Sequence, residues 1–271
     1  ILPRGCLEPV AVVAAPDGAW IELAALRGPA GGALADALPW LMAHVGHVAE
    51  RAAAWKGARY RGSDFAFLPP VRPPSFRDFY AFEQHVKTAR AKRGLAMVPA
   101  WYEIPVFYFS NHHALFGHEA AVCAPAGSQE LDYELEPGVV IERAEMAVGL
   151  GPAKGKDFAT AVGPWLVTRD AVADRIEGER LTLAMSARVN GREFSRGNVA
   201  QLHHSIPRLI AQASRDTDLF PGDLLGTGTV GTGCMLELGP ENTGGWLKPG
   251  DVVELEIERI GVLRTPVVGR R

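Results

Sequence analysis

Apolar and polar positions along the chain fall into two regimes. Near the start, short apolar runs at residues 10–14 and 20–26 flank Pro16-Asp17-Gly18. Proline fixes φ, aspartate bonds to its own backbone and glycine accepts positive φ, so this trio predicts the turn of a β-hairpin. Leu34, Leu38, Leu41, Val45 and Val48 then recur at helical spacing, which predicts a helix over roughly residues 33–55 ending near Gly57. Residues 68–74, LPPVRPP, carry four prolines and cannot form regular structure. They are expected to link a small β-rich N-terminal domain, residues 1–67, to a main domain, residues 68–271.

Beyond that linker, short apolar runs separated by Gly and Pro predict strands at 106–109, 134–141, 165–168, 181–189, 223–229, 234–238 and 252–257. Leu202, Ile206, Leu209 and Ile210 predict a helix over 199–214, followed by the turn Phe220-Pro221-Gly222-Asp223. Many strands and few helices argue for an α+β, mainly β, main domain.

Composition narrows the function classes. The 271 residues are 47% hydrophobic and 22% charged, enough to bury a sizeable core, and the net charge is −3. A chain without uncompensated Lys and Arg clusters offers no footprint for nucleic acid or an anionic membrane. Apolar stretches break well before the ~20 residues a membrane span needs. The opening ILPRGCLEPV lacks the basic start and apolar run of a signal peptide. Three scattered cysteines, Cys6, Cys123 and Cys234, do not suggest a disulfide framework, so a reducing cytoplasm is expected.

Candidate chemistry concentrates in Leu131-Asp132-Tyr133-Glu134-Leu135-Glu136. On a strand, residues i and i+2 share a face, so Glu134 and Glu136 project together. Such a pair is either a solvated edge strand or the oxygen ligands of a hard cation such as Mg²⁺ or Ca²⁺. A second stretch runs from Phe76 to His85; Asp78 and His85, seven apart, would share one side of a helix. That would join a carboxylate for a metal to an imidazole for proton transfer. His44 and His47 lie three apart on the first helix without a matching carboxylate and are expected to be surface or core groups.

The ordered set RDFYAFEQH, IPVFYF, LDYELE, GKDFATAVGPW, VNG, PGDLLGTGTVG and MLEL resembles the fumarylacetoacetate hydrolase family from about Val71 to the C-terminus. The D-F-Y…Q-H segment makes the likeness closer to the fumarylacetoacetase-like branch. The resemblance implies a mixed β-roll, a homodimer, and Asp78, Glu134 and Glu136 as ligands of a divalent cation, Mg²⁺, Ca²⁺ or Mn²⁺. It further implies His85 as general base, Glu237 as the carboxylate orienting it, and Lys156 as a stabiliser of developing negative charge. Tyr80, Tyr108 and Thr229 are implied as substrate contacts. The activity implied is metal-dependent hydrolysis of a carbon–carbon bond in a fumarylacetoacetate-like or acylpyruvate-like 1,3-diketo acid, in aromatic or tyrosine breakdown. An isomerase, decarboxylase or dehydratase of a related 2-oxo acid, or an inactive relative, are the rival readings.

The chain departs from that pattern in one place. Where the family carries a few tens of residues with an N-D-x-S-x-R-D motif, whose first Asp is a further metal ligand, Gly138–Ile141 runs almost directly into Glu142–Met146. Either the segment has been lost, or it belongs to the protein and the numbering closes over it. The second alternative predicts separated chain ends near residues 141–143 and a cation site that can stand empty. Histidines 112 and 113 are expected in a loop near the site entrance, His203 and His204 as packing or surface groups. Cys234, without a positioned base, is not expected to be a nucleophile.

Overall fold

A computed structural model describes residues 1–6, 8–27, 40–41, 43–140 and 158–269. The expected hairpin is present: Val12–Ala14 pairs antiparallel with Trp20–Glu22, and Gly18 takes φ +76° in the turn. The apolar periodicity that follows forms the helix Val45–Ala54, with residues 28–39 and 42 outside the described set. These elements bury Ala15, Ile21, Leu23, Leu26, Val48 and Ala52 in a cluster of their own. His44 and His47 are exposed on this part of the chain, His44 stacked on Trp40.

A four-stranded and a five-stranded sheet, beside smaller two-stranded ones, dominate the rest of the described residues, and the fold is α+β with strands predominating. In the four-stranded sheet, Phe107–Phe109 runs antiparallel to Phe76–Phe79, which is parallel to Leu224–Gly226, which is antiparallel to Gly138–Val140. The five-stranded sheet runs Arg192–Asn198, Ala184–Val189, Val252–Ile257, Gly261–Val268 and Val122–Cys123, with only the last pairing parallel. Phe79, Phe82, Leu135, Leu183, Met185 and Leu209 are among the largest fully buried members of the core they share. No helix among the described residues is long and apolar enough to cross a membrane.

Several local expectations are corrected. Residues 235–238 form a helical turn, Met235–Leu238, not a strand. Four apolar residues cannot separate the two states by periodicity; here Asp132 accepts hydrogen bonds from the Met235 and Leu236 N–H groups, 2.7 Å each, and stops them entering a ladder. The strand expected over 134–141 is paired only at Gly138–Val140, although its alternation persists, with Tyr133 and Leu135 buried and Glu134 and Glu136 on the opposite side. No strand forms at 165–168. The helix expected over 199–214 splits into Val199–Gln201 and Ile206–Ala213. Pro207 has no N–H to donate and is tolerated only in a first turn, so the helix restarts there.

Among the strands outside the expected set, beside Phe76–Phe79 and Val122–Cys123, are Arg192–Asn198 and Gly261–Val268. Asn190 and Gly191, at φ +51° and +79°, form the tight turn between Ala184–Val189 and Arg192–Asn198; an Asn-Gly pair is the strongest short-range hairpin signal. Gly261–Val268 was obscured by Pro266, which demotes a run as a strand. The expectation of separated chain ends near 141–143 lies outside the described residues.

Beneath the four-stranded sheet, Asp223 accepts from Ser75 Oγ at 2.6 Å and faces the Arg77 guanidinium at 3.7 Å, both side chains being buried. Burial lowers the Arg77 pKa, and Asp223 partly restores it. Asp223→Ala would leave a buried cation without its counter-charge and is expected to cost about 3–5 kcal/mol in urea denaturation. Replacing both members with apolar residues of similar volume should recover most of that loss.

Candidate active site

One cross-strand row organises the site. Asp78 is registered opposite Tyr108 on one side and Gly226 on the other, and Gly226 opposite Gly138. Residues in one row share a face, so the Tyr108 hydroxyl reaches Asp78 and donates to Oδ2. The two glycines leave open the space above the row. A Cβ placed on Gly226 would collide with Asp78 Oδ1 and come within 3.1 Å of Glu136 Oε2. Two carboxylates therefore converge over a position that only glycine leaves free. Asp78 does not share a helix with His85, as the spacing suggested: Asp78 lies in the strand Phe76–Phe79, and His85 in the helix Glu83–Ala91 that follows.

From Gly226 the chain continues as Thr227-Gly228-Thr229-Val230-Gly231-Thr232-Gly233 and touches every other part of the site. The Gly228 N–H donates to Glu136 Oε2 at 2.6 Å, and a Cβ there would strike the Tyr80–Ala81 backbone. Thr227 fastens this loop at both ends, its carbonyl accepting from Ala81 N and its hydroxyl donating to the Pro137 carbonyl at 3.0 Å. Val230 N–H and the Gly233 carbonyl both bond to Leu135, holding the segment that carries Glu134 and Glu136. The Thr232 N–H donates to Glu237 Oε2 at 3.0 Å.

The other oxygen of Glu237 lies 2.5 Å from His85 Nδ1; Glu237 is buried and the His85 side chain is 12% exposed. A carboxylate on one imidazole nitrogen fixes the tautomer and leaves the other free to take a proton. The pair implied by the resemblance is thus in contact although 152 residues separate its members.

Of the other expected site residues, Thr229 is buried with its methyl group over Gly233, and Tyr80 is half-buried at the turn before the helix. Tyr108, expected as a substrate contact, is buried with its hydroxyl donating to Asp78. Lys156 lies outside the described residues. His112 and His113 occupy a loop; His204 is buried against Trp101, whose carbonyl faces its Nε2 at 3.1 Å, and burial lowers its pKa. Cys234 is buried beside Glu237, and burial followed by the charge of Asp132 pushes its thiol well above the ordinary range.

Asp132 was missed. It accepts from the N–H groups of Tyr133, Met235 and Leu236, and so ties the acidic segment to the helical turn that presents Glu237. Burial raises its carboxyl above the usual range, with Glu134 adding to the effect and the three N–H groups opposing it. Gly226 and Gly228 were also missed as site residues. Their signal was visible in the glycines at 226, 228, 231 and 233, a spacing expected where backbone must approach other groups closely.

Comparison with known proteins places this geometry among relatives. The sequence profile described as Fumarylacetoacetate (FAA) hydrolase C-terminal matches residues 75–152 and 141–268, two stretches that overlap over residues 141–152. A 2,4-didehydro-3-deoxy-L-rhamnonate hydrolase from a Sphingomonas species is 31% identical over 195 residues, 60% of this chain and 65% of that protein. The chain thus spans just under two thirds of that relative's length. A mitochondrial oxaloacetate tautomerase from Rattus norvegicus is 29% identical over 82% of this chain and 75% of its own. Among solved structures, a maleylpyruvate hydrolase from a Sphingobium species, bound to manganese and pyruvate, superposes with TM-score 0.71 at 22% identity, covering 96% of both chains. A 5-carboxymethyl-2-hydroxymuconate delta-isomerase from Mycobacterium smegmatis does so at 0.59 and 23% identity, covering 79% of this chain and 84% of its own.

Because the space above Gly226 is what lets Asp78 and Glu136 converge, Gly226→Ala should displace both while leaving the sheet paired. Divalent-cation affinity, titrated calorimetrically with Mn²⁺, is expected to fall about 10–100-fold, as when the support of a metal ligand is removed. Unaltered affinity would show that this convergence has no part in binding a cation.

Proposed function

We propose that this chain, which belongs to the fumarylacetoacetate hydrolase family, cleaves a carbon–carbon bond in a fumarylacetoacetate-like or acylpyruvate-like 1,3-diketo acid. The observation that carries this reading is the 2.5 Å contact between His85 and Glu237, held by the same loop over which Asp78 and Glu136 converge. A proton acceptor and an all-oxygen cradle on one loop are what hydrolysis of such a substrate needs.

The carboxylates suit a hard divalent cation, and the missing side chain at Gly226 is what lets the oxygens of Asp78 and Glu136 approach one another. Asp78, Glu134 and Glu136 would hold it; Mg²⁺, Ca²⁺ and Mn²⁺ all fit oxygen donors, and the manganese complex of the maleylpyruvate hydrolase favours the same class. When bound, the cation supplies Lewis-acid polarisation of the dicarbonyl and countercharge for the departing enolate.

The residues do the rest. His85, oriented by Glu237, takes a proton from water through Nε2, and the hydroxide so formed adds to the substrate carbonyl carbon. Collapse of the tetrahedral oxyanion breaks the adjacent carbon–carbon bond and releases an enolate, which Lys156 holds by charge until it is protonated. Tyr108 orients Asp78 through its hydroxyl, and Tyr80 and Thr229 line the approach. The two separate hydrophobic clusters support a division near residue 67, and the reading carries with it a homodimer in the cytoplasm.

A second reading draws on the tautomerase relative, whose match covers 82% of this chain. The same cradle with a base that moves a substrate proton, rather than one from water, would tautomerise or isomerise a 2-oxo acid. Product analysis separates the two: hydrolysis yields two acids, tautomerisation one.

Loss of diketo-acid ultraviolet absorbance, followed over a panel of acylpyruvates with and without Mg²⁺, tests the assignment. His85→Ala is expected to lower turnover about 100- to 10,000-fold, and Glu237→Gln to lower it as well, with Mg²⁺ affinity little changed in both. Unchanged turnover in the His85 variant would remove the general base and the hydrolase with it.

A further inference from the structure

Beside the all-oxygen cradle lies a group of different chemistry. His85, Cys234 and Glu237 offer a nitrogen, a sulfur and an oxygen that lie within 4.8 Å of one another. Glu237 Oε1 is the hub, 2.5 Å from His85 Nδ1 and 3.8 Å from Cys234 Sγ. Around a single Zn²⁺, with bonds of about 2.0–2.3 Å in tetrahedral geometry, three such donors stand roughly 3.3–3.7 Å apart. Side-chain adjustments would widen the 2.5 Å His85–Glu237 contact and draw the sulfur inward to reach that figure.

Charge points the same way. Burial, and after it the charges of Asp132, Glu237 and Glu134, raise the Cys234 thiol above its ordinary range. A dication at this point relieves what the thiol alone cannot. Thiolate and imidazole select borderline and soft metals, whereas Mg²⁺ and Ca²⁺ prefer the carboxylate cradle.

We propose that His85, Cys234 and Glu237 form a second, Zn²⁺-selective site whose occupation ties up the His85–Glu237 dyad and switches it off. As Zn²⁺ binds, the S–H bond of Cys234 breaks, a Zn–S bond forms and one proton leaves to solvent. Nδ1 of His85 becomes a ligand and its ring carries its proton on Nε2, where it can no longer accept one. Thiolate, carboxylate and metal sum to zero charge, and water completes the fourth position. Entry is from the side of His85, the part of the group that solvent reaches.

Co²⁺ is the spectroscopic probe, in a Cys6→Ser/Cys123→Ser chain that removes the two exposed thiols. The expected result is a thiolate-to-cobalt charge-transfer band in the near ultraviolet, saturating at one metal per sulfur site. Stoichiometric Zn²⁺ should abolish it and excess Mg²⁺ leave it. The band should vanish on adding Cys234→Ser. Zn²⁺ should also protect His85 from carbethoxylation, read by peptide mass spectrometry, in the Cys234 chain but not in its serine variant. Absence of the band in the two-serine chain, its survival in Cys234→Ser, or equal modification of His85 with and without Zn²⁺ would overturn the proposal. None of these readouts uses turnover, so they stand apart from the hydrolase assignment.

Discussion

The backbone of residues 226–233 must come within hydrogen-bonding distance of three other segments at once, and the site exists because it can. Gly226 leaves room for two carboxylates, Gly228 lies against the Tyr80–Ala81 backbone while donating to Glu136, and Thr232 donates to Glu237. A side chain at 226 or 228 would push apart groups that the paired strands otherwise bring together. Each N–H to carboxylate bond contributes roughly 1.5–3 kcal/mol where the acceptor is charged. Their greater consequence is geometric. Main-chain donors do not rotate away, so the carboxylates they hold keep their aim, which is what a preorganised site requires.

The same arrangement gathers more negative charge than the protein alone balances well. Asp78, Asp132, Glu136 and Glu237 lie in or beside one region, where burial first and neighbouring carboxylates second raise Asp132 and Cys234 above their ordinary ranges. Asp132 meets it with three N–H groups, Asp78 with the Tyr108 hydroxyl, and Glu237 with Thr232 and His85. Partial dipoles attenuate such a field without cancelling it, and a bound dication cancels it. The case for a cation therefore rests on electrostatics as well as on kinship.

How much of this was legible in the sequence depended on the range of the interaction. Val12–Ala14 and Trp20–Glu22 pair through a turn written into Pro16-Asp17-Gly18, and local chemistry sufficed. The alternation of Tyr133 and Leu135 against Glu134 and Glu136 survived even where the expected ladder did not form. Met235–Leu238 was misread because its helical state is imposed by Asp132, about a hundred residues away, and no window around the MLEL run contains that information. Asp78 and His85 were placed on one helix because a spacing of seven fits two turns; the strand pairing that captures Asp78 comes from Gly226 and Tyr108, both distant in sequence. The likeness to a family supplied the His85–Glu237 pairing, which periodicity could not.

Relatives with different reactions on one scaffold make physical sense in this light. A cradle that polarises a dicarbonyl lowers the cost of an enolate whether that enolate arises by proton removal or by bond cleavage. What distinguishes the outcomes is where the base finds its proton. A histidine held by a buried carboxylate and still partly open to solvent, as His85 is, can reach water. A site that closed water out would leave the same base only the substrate's own proton, and tautomerisation would follow from the identical residues. On the proposed reading, the choice between these outcomes turns less on the identity of the acids than on whether water can stand between His85 and the substrate.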